Sequence, residues 1–244
     1  MSDFSGKSCI VTGAGQGIGR DIALDLSRRG ARVIAISRTA NHLETLAKEA
    51  ASPIEIVVCD VENLDDLKSK VQTFLPVHFL VNNAGIGKSE SFVDTKPENF
   101  DKVFNVNFKS VFFLSQWVVK SMIEHKIKGS VVHISSQASQ MFLPQHVVYS
   151  ATKAALDNLT KNMACELGPY GIRVNAVNPT VVMTELARLY WDDKTRAEKM
   201  LSRIPLGHFA DLDDVSKAVA FLLSGDSKMI TGTCLPVDGG SLST

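Results

Sequence analysis

Short apolar runs rich in β-branched residues alternate along this chain with segments whose apolar residues recur at helical spacing. The runs are SCIVTG, ARVIAIS, IEIVVCD, HFLVNNAG, GSVVHISS and IRVNAVNP. Such alternation predicts βαβ units and a parallel sheet. Strands that read as nearly continuous apolar runs predict helices on both faces of that sheet. In the first unit Ile18, Ile22 and Leu26 share a helical face with Ala23 beside them, and Gly30 stops the helix before the second strand. No repeat, low-complexity tract or Pro/Ser linker offers a place to cut, so a single α/β domain over residues 1–244 is the simplest account. The rhythm breaks once, at about residues 180–206, TVVMTELARLYWDDKTRAEKMLSRIPL, where helical patterns follow one another without a strand. Coming after a strand that ends at Asn178-Pro179, this segment is expected over the carboxyl ends of the sheet, where such folds bind ligands and substrates.

Composition narrows the function classes. The chain is 45% hydrophobic and 21% charged, and its 26 basic residues balance 26 acidic ones, so it can bury a sizeable core and has no bias toward polyanions. Nucleic acid is therefore not the expected partner. The opening MSDFSGKSC has no apolar signal-peptide core and no stretch approaches the ~18 apolar residues of a membrane span, which leads us to expect a soluble cytoplasmic protein. Cys9, Cys59, Cys165 and Cys234 are far apart, and three lie in apolar strand-like runs. That pattern suits reduced thiols, and none has a Cys or His at metal-ligand spacing. Asn158-Leu-Thr160 fits the glycosylation pattern but reads as a helix segment.

CIVTGAGQGIGRDIAL carries glycines at 13, 15, 17 and 19, and no window of them fits G-x-G-x-x-G. The context, strand then glycine turn then helix, is nevertheless the one in which backbone N–H groups and the helix dipole hold a pyrophosphate. A tight turn without a ligand is the plainer reading. The spacing that does fit is Thr12-Gly13-x-x-x-Gly17-x-Gly19, and here the chain resembles the short-chain dehydrogenase/reductase family, which has T-G-x-x-x-G-x-G at this place. The resemblance covers essentially the whole chain and implies a Rossmann-type doubly wound parallel sheet. It makes Gly13 the turn, Gly17 the point of close approach to the pyrophosphate and Gly19 the helix–strand contact, with Gln16 and Ile18 beside the cofactor and Gly15 as an extra. At the end of the second strand Ser37 stands where an acidic residue would bond a ribose 2′-OH, followed by Arg38 and Thr39. A hydroxyl and a guanidinium suit a 2′-phosphate, which points to NADP(H) over NAD(H), although an exposed Arg after a strand is common. By the same resemblance Asp60 and Val61 meet the adenine, Asn83, Ala84 and Gly85 close the fourth strand, and Pro179, Val182 and Thr184 cover the nicotinamide end.

VVYSATKAALDNL sets Tyr149 and Lys153 four residues apart, on one helical face. A neighbouring ammonium favours phenolate, so Tyr149 is expected to have a lowered pKa and to serve as a proton donor to a developing alkoxide. Ser136 ends the strand GSVVHISS, and Asn107 lies in an apolar helical pattern where an amide needs a partner. Each alone has an ordinary reading as a turn, cap or helix residue. Together they match the family's catalytic tetrad. By resemblance Tyr149 is the acid/base and Ser136 polarises the carbonyl. Lys153 then holds the nicotinamide ribose and lowers the Tyr149 pKa, while Asn107 fixes a helix distortion and a water.

Within the family, SSQASQ, HVVYSATKAALD, NPTVVMT and AEKMLSRIPLG are similar to the branch that reduces L-xylulose and small α-dicarbonyls such as diacetyl with NADPH. That likeness implies a small polar pocket lined by Ser136, Gln137, His146 and Trp191, although Gln137 also reads as a loop residue and Trp191 as a helix anchor. Reduction of a 3-oxoacyl thioester or another ketone, and a non-catalytic nucleotide-binding scaffold, remain alternatives. The family also implies a homotetramer through FFLSQWVVKSM, AALDNLTKNMACEL and a C-terminal strand in GTCLPVDGG. The helical faces could instead bury only against their own sheet.

Overall fold

The computed structural model describes residues 2–184, 187 and 191–243. Strands β1 (Ser8–Thr12), β2 (Arg32–Ser37), β3 (Ile54–Val58), β4 (Phe79–Asn82), β5 (Ser130–Ile134), β6 (Arg173–Pro179) and β7 (Cys234–Val237) form one sheet in the order β3-β2-β1-β4-β5-β6-β7. Every neighbouring pair is parallel. Six are the strands predicted from the apolar runs, and the seventh comes from GTCLPVDGG.

Both faces of the sheet are covered, which explains why the strands read as unbroken apolar runs rather than alternating ones. Along β1 the alternation becomes visible only in space. Cys9 and Val11 join one core with Ile22 and Leu26 of α1 (Gly17–Arg28), Leu43 of α2 (Ala40–Glu49), and Val215 and Val219 of the helix Leu212–Leu223. Ile10 joins the opposite core with Leu67 of α3 (Leu64–Gln72), Leu114 and Val118 of α5 (Ser110–Glu124), and Ala164 of α6 (Val147–Leu167). Gly30, at φ +86°, takes the left-handed conformation that ends the first helical unit.

The chain winds outward from β1 to β3 and then returns to β4 on the other side of β1, so a crevice opens at the carboxyl ends of β1 and β4. Between α4 (Pro97–Phe104) and α5 the helix widens into a π turn over Asn105–Lys109. Of the 180–206 segment, residues 185, 186 and 188–190 lie outside the described residues; its described part includes α7 (Lys194–Leu201) and a bridge between Val182 and Ala210. The next helix, Leu212–Leu223, is α8 and begins with a capping box between Asp211 and Asp214. Among the described residues no helix is long and apolar enough to cross a membrane and no metal-binding cluster occurs. All four cysteines are free; Cys9 and Cys59 are buried, Cys234 is half-buried and Cys165 is exposed. Thr160 of the glycosylation-like triplet is buried inside α6 and donates to the Leu156 carbonyl.

Candidate active site

The end of β1 is tied to the end of β4. The Thr12 hydroxyl accepts from the backbone N–H groups of Asn83 and Ala84, both at 3.0 Å, and the Asn83 amide donates to the carbonyls of Thr12 (3.0 Å) and Gly13 (3.2 Å). Gly13 and Gly17 have φ of +65° and +55°, which disfavour any side chain. A Cβ on Gly19 would stand 2.3 Å from Asn83 Nδ2 and 2.4 Å from the Gly13 carbonyl oxygen. Gly15, an extra in the sequence pattern, also has a spatial reason, since a Cβ there would come 2.7 Å from Ser37 Oγ. Gln16 at the N-cap of α1 makes no side-chain capping bond, so the N–H groups of the first turn remain for an anion.

A cleft of about 1240 Å³ runs over these glycines. Gly13, Gln16, Gly17 and Ile18 line its middle, and Ser37, Arg38, Thr39, Asp60 and Val61 one end. Asn83, Ala84, Gly85, Ser136, Tyr149, Lys153, Pro179 and Thr184 line the remainder. Glycine contacts that exclude side chains, a helix N-terminus and a long cleft together fit a nicotinamide dinucleotide. Three residues missed in the sequence lie at the Ser37 end: Arg20, His42 and Thr45. Arg20 is engaged by Glu49 at 2.9 Å and by the His42 carbonyl at 3.0 Å. Arg38 is exposed and has no carboxylate partner among the described residues.

At the other end, Asn107 sits in the π turn, 1% exposed, and answers the question of its partner. Its Oδ1 accepts from Ile86 N at 2.8 Å, while Nδ2 donates to the Ile86 carbonyl (2.9 Å) and the Thr152 hydroxyl (3.1 Å). Gly85 separates this amide from Lys153: a Cβ there would lie 3.5 Å from Asn107 Oδ1 and 3.6 Å from Lys153 Nζ. The Ser136 hydroxyl accepts from Ala138 N at 3.1 Å, which leaves its proton for an oxygen in the cleft.

The Tyr149–Lys153 electrostatics differ from the expectation. Lys153 Nζ donates to the Ile134 carbonyl at 2.7 Å and lies 5.6 Å from the centre of the Tyr149 ring. Burial raises the phenol pKa and the Ser136 hydroxyl opposes this, so Tyr149 is held as the neutral phenol rather than drawn toward phenolate by Lys153. Burial pushes Lys153 down to about 8, against the favourable charge of Asp157.

The pocket residues disperse. His146 meets Tyr149 edge-on, ring centres 6.1 Å apart, and packs near Gly87. Gln137 is buried beyond the cleft lining, and its Oε1 has no hydrogen-bond partner among the described residues. Trp191 packs on Phe209 at 5.2 Å between ring centres, as a helix anchor would, and is not among the cleft-lining residues. Val182 sends its side chain into the core beside Ala210 rather than into the cleft. Gly19 lies beneath the turn, not on its surface.

Under the site, fully buried His133 takes a bond on Nδ1 from Asn82 Nδ2 at 3.0 Å, and burial, aided by the Lys153 charge, lowers its pKa from 6.5 to about 3. The unfolded chain therefore binds a proton below pH ~6.5 that the folded protein refuses until pH ~3. Stability from this residue is complete above the upper value and falls on acidification by about 1.4 kcal/mol per pH unit. Urea unfolding at pH 6.5 and 5 should show His133→Gln losing about 2 kcal/mol less than the parent over that interval; equal losses would refute the assignment.

The family profile described as Enoyl-(Acyl carrier protein) reductase matches residues 13–241. The chain is 48% identical to D-erythrulose reductase of Gallus gallus, covering 98% of this chain and 97% of that protein. It is also 48% identical to L-xylulose reductase of Mus musculus, covering 99% and 98%. A solved chain from Beutenbergia cavernae with bound NADP at low occupancy superposes with a TM-score of 0.94 at 32% identity, covering 99% of each. A doubly wound sheet with a nicotinamide-cofactor cleft at its switch point, joined to these full-length likenesses, places the chain in the short-chain dehydrogenase/reductase family of oxidoreductases.

Proposed function

We propose that this protein reduces small polar carbonyls with NADPH, L-xylulose and α-dicarbonyls such as diacetyl being its substrates. The observation that carries the reading is the convergence of Ser136, Tyr149 and Lys153 on one end of the cleft whose other end holds Ser37 and Arg38. The relatives named for reduction of L-xylulose and D-erythrulose support the substrate class. When bound, the nicotinamide supplies the hydride. The chain supplies the rest. Ser136 and Tyr149 donate hydrogen bonds to the carbonyl oxygen, and Tyr149 yields its proton as charge develops there. A phenol kept neutral by burial is in the right protonation state for reduction at neutral pH. Lys153, fixed by Ile134, holds the ribose, while Asn107 holds the π turn open against Ile86. His146, beside Tyr149, bonds substrate hydroxyls.

An NADPH-oxidation assay with L-xylulose, diacetyl and an acetoacetyl thioester, repeated with NADH, tests this. Turnover of the first two in preference to the thioester is expected; preference for the thioester, or no turnover, would overturn it. For Arg38→Asp, loss of a charge-assisted bond and gain of repulsion should reduce the NADPH-over-NADH ratio of kcat/KM by about 100-fold or more. An unchanged ratio would remove Arg38 from the 2′-phosphate site.

We further propose a homotetramer built on α5, α6 and β7. An aromatic row along the helix, Phe108, Phe112, Phe113 and Trp117, supports it, with Phe112 39% exposed. Light scattering that returned a single-subunit mass would exclude it.

A further inference from the structure

Behind the cleft, a buried carboxylate joins three elements of the site. Asp157 is 7% exposed and lies one turn beyond Lys153 on α6. Its Oδ2 accepts from Ser139 Oγ at 2.6 Å and from Asn178 Nδ2 at 2.9 Å. The same Asn178 amide donates to the Ser136 carbonyl at 3.2 Å and lies 2.9 Å from Ser139 Oγ, which is itself 2.8 Å from the Ser136 carbonyl. The Ser139 hydroxyl stands between the carboxylate and the Ser136 carbonyl and shares its one proton between them. Asn178 Nδ2 likewise shares its two protons among the carboxylate, Ser139 Oγ and the Ser136 carbonyl. The carboxylate thus fixes, through two side chains, the backbone of the residue that donates to the carbonyl.

Its charge acts on a second member of the site. Lys153 is 4% exposed and has no carboxylate bonded to it among the described residues, and Asp157 is the group that favours its ammonium. The other groups facing this pair do not supply that charge. His133 on β5 is neutral above pH ~3, and Tyr149 on α6 is a neutral phenol. Cys234 on β7, whose Sγ lies 3.8 Å from the Asp157 carbonyl, is held up to about 11 and is a neutral thiol, and Lys161 is a further cation.

We propose that Asp157 is a positioning residue for the reaction: its carboxylate braces Ser136 through Ser139 and Asn178, and its charge counterbalances the buried Lys153 ammonium. The inference rests on the reductase reading for its catalytic half only.

Two variants of the full-length protein separate the halves. In Asp157→Asn the side chain keeps its shape and loses its charge; in Ser139→Ala the charge stays and the arm of the brace through Ser139 is cut. Lysine Nζ resonances of the cofactor-free protein, assigned with Lys153→Arg, report the Lys153 titration without any substrate. Asp157→Asn should move that titration about one pH unit lower, and the alkaline limb of kcat should move with it. Ser139→Ala should titrate as the parent does while kcat falls about tenfold and the KM for NADPH stays within twofold. A Lys153 titration unmoved by Asp157→Asn overturns the charge role. Parent kcat in Ser139→Ala overturns the arm of the brace through Ser139 and remains decisive for it if Asp157→Asn does not fold. A parent without carbonyl reduction refutes the functional reading instead, and the titration alone then decides the role of Asp157.

Discussion

Tyr149→Phe is expected to lower kcat for carbonyl reduction by about 1000-fold while NADPH binding stays within twofold of the parent. The substitution removes one oxygen and keeps the ring, so the packing of His146 and the approach of Lys153 to the ring face, at 5.6 Å, are retained. What disappears is the proton donor. Ser136 cannot replace it, because its hydroxyl is much less acidic than a phenol. Lys153 donates to the Ile134 carbonyl and is given to the ribose, not to the carbonyl oxygen. Stopped-flow measurement of NADPH oxidation, with binding followed separately by cofactor fluorescence, distinguishes loss of chemistry from loss of cofactor. A variant within tenfold of the parent kcat would show that the proton comes from another group, and would remove the basis for assigning the acid to Tyr149.

The parts of this molecule that were readable from its sequence are those set by short-range periodicity. β1 shows this well: five consecutive buried residues imply two covered faces, and the helix that follows carries its apolar stripe at Ile18, Ile22 and Leu26. Tyr149 and Lys153 were readable as neighbours for the same reason, since a helix fixes residues four apart. Their electrostatics were not, because the desolvation that raises the phenol and the Ile134 carbonyl that accepts the lysine's hydrogen bond belong to other elements. Gly15 illustrates a second limit. It looked like an extra within its own turn because the atom it must avoid, Ser37 Oγ, is on the next strand. Trp191 and Val182 turned toward Phe209 and the core for a comparable reason: a segment without regular register gives no rule for which way a side chain points. Asp157 stood in plain view four residues after Lys153, but its partners come from residues 139 and 178, and no local pattern announces them.

Gly19→Ala is expected to destabilise the protein by about 1–3 kcal/mol and to lower its melting temperature by about 5 °C. Helix propensity alone would predict the opposite, since Ala is favoured over Gly within a helix. Space decides the sign. The added methyl would meet Asn83 Nδ2 at 2.3 Å and the Gly13 carbonyl oxygen at 2.4 Å, and one of these contacts is to backbone. Relief requires α1 to move off the sheet or Asn83 to turn away. The first overpacks a fully formed interface, at about 1–3 kcal/mol. The second breaks the bonds from Asn83 to Thr12 and Gly13, each contributing about 0.5–1.5 kcal/mol, and frees the glycine turn from β4. At about 2–4 °C per kcal/mol for a chain of this size, the shift is well outside calorimetric error. Gly168→Ala is the matched control, because that glycine has φ −51° and ψ −44° with nothing within 4 Å of its added Cβ. It should melt within about 2 °C of the parent, on either side. The same displacement of the turn should weaken NADPH binding by Gly19→Ala at least tenfold, whereas Gly168→Ala should bind as the parent does. If Gly19→Ala melted with the parent and bound NADPH normally, the tie between β1 and β4 through Asn83 would not be what shapes the cofactor turn.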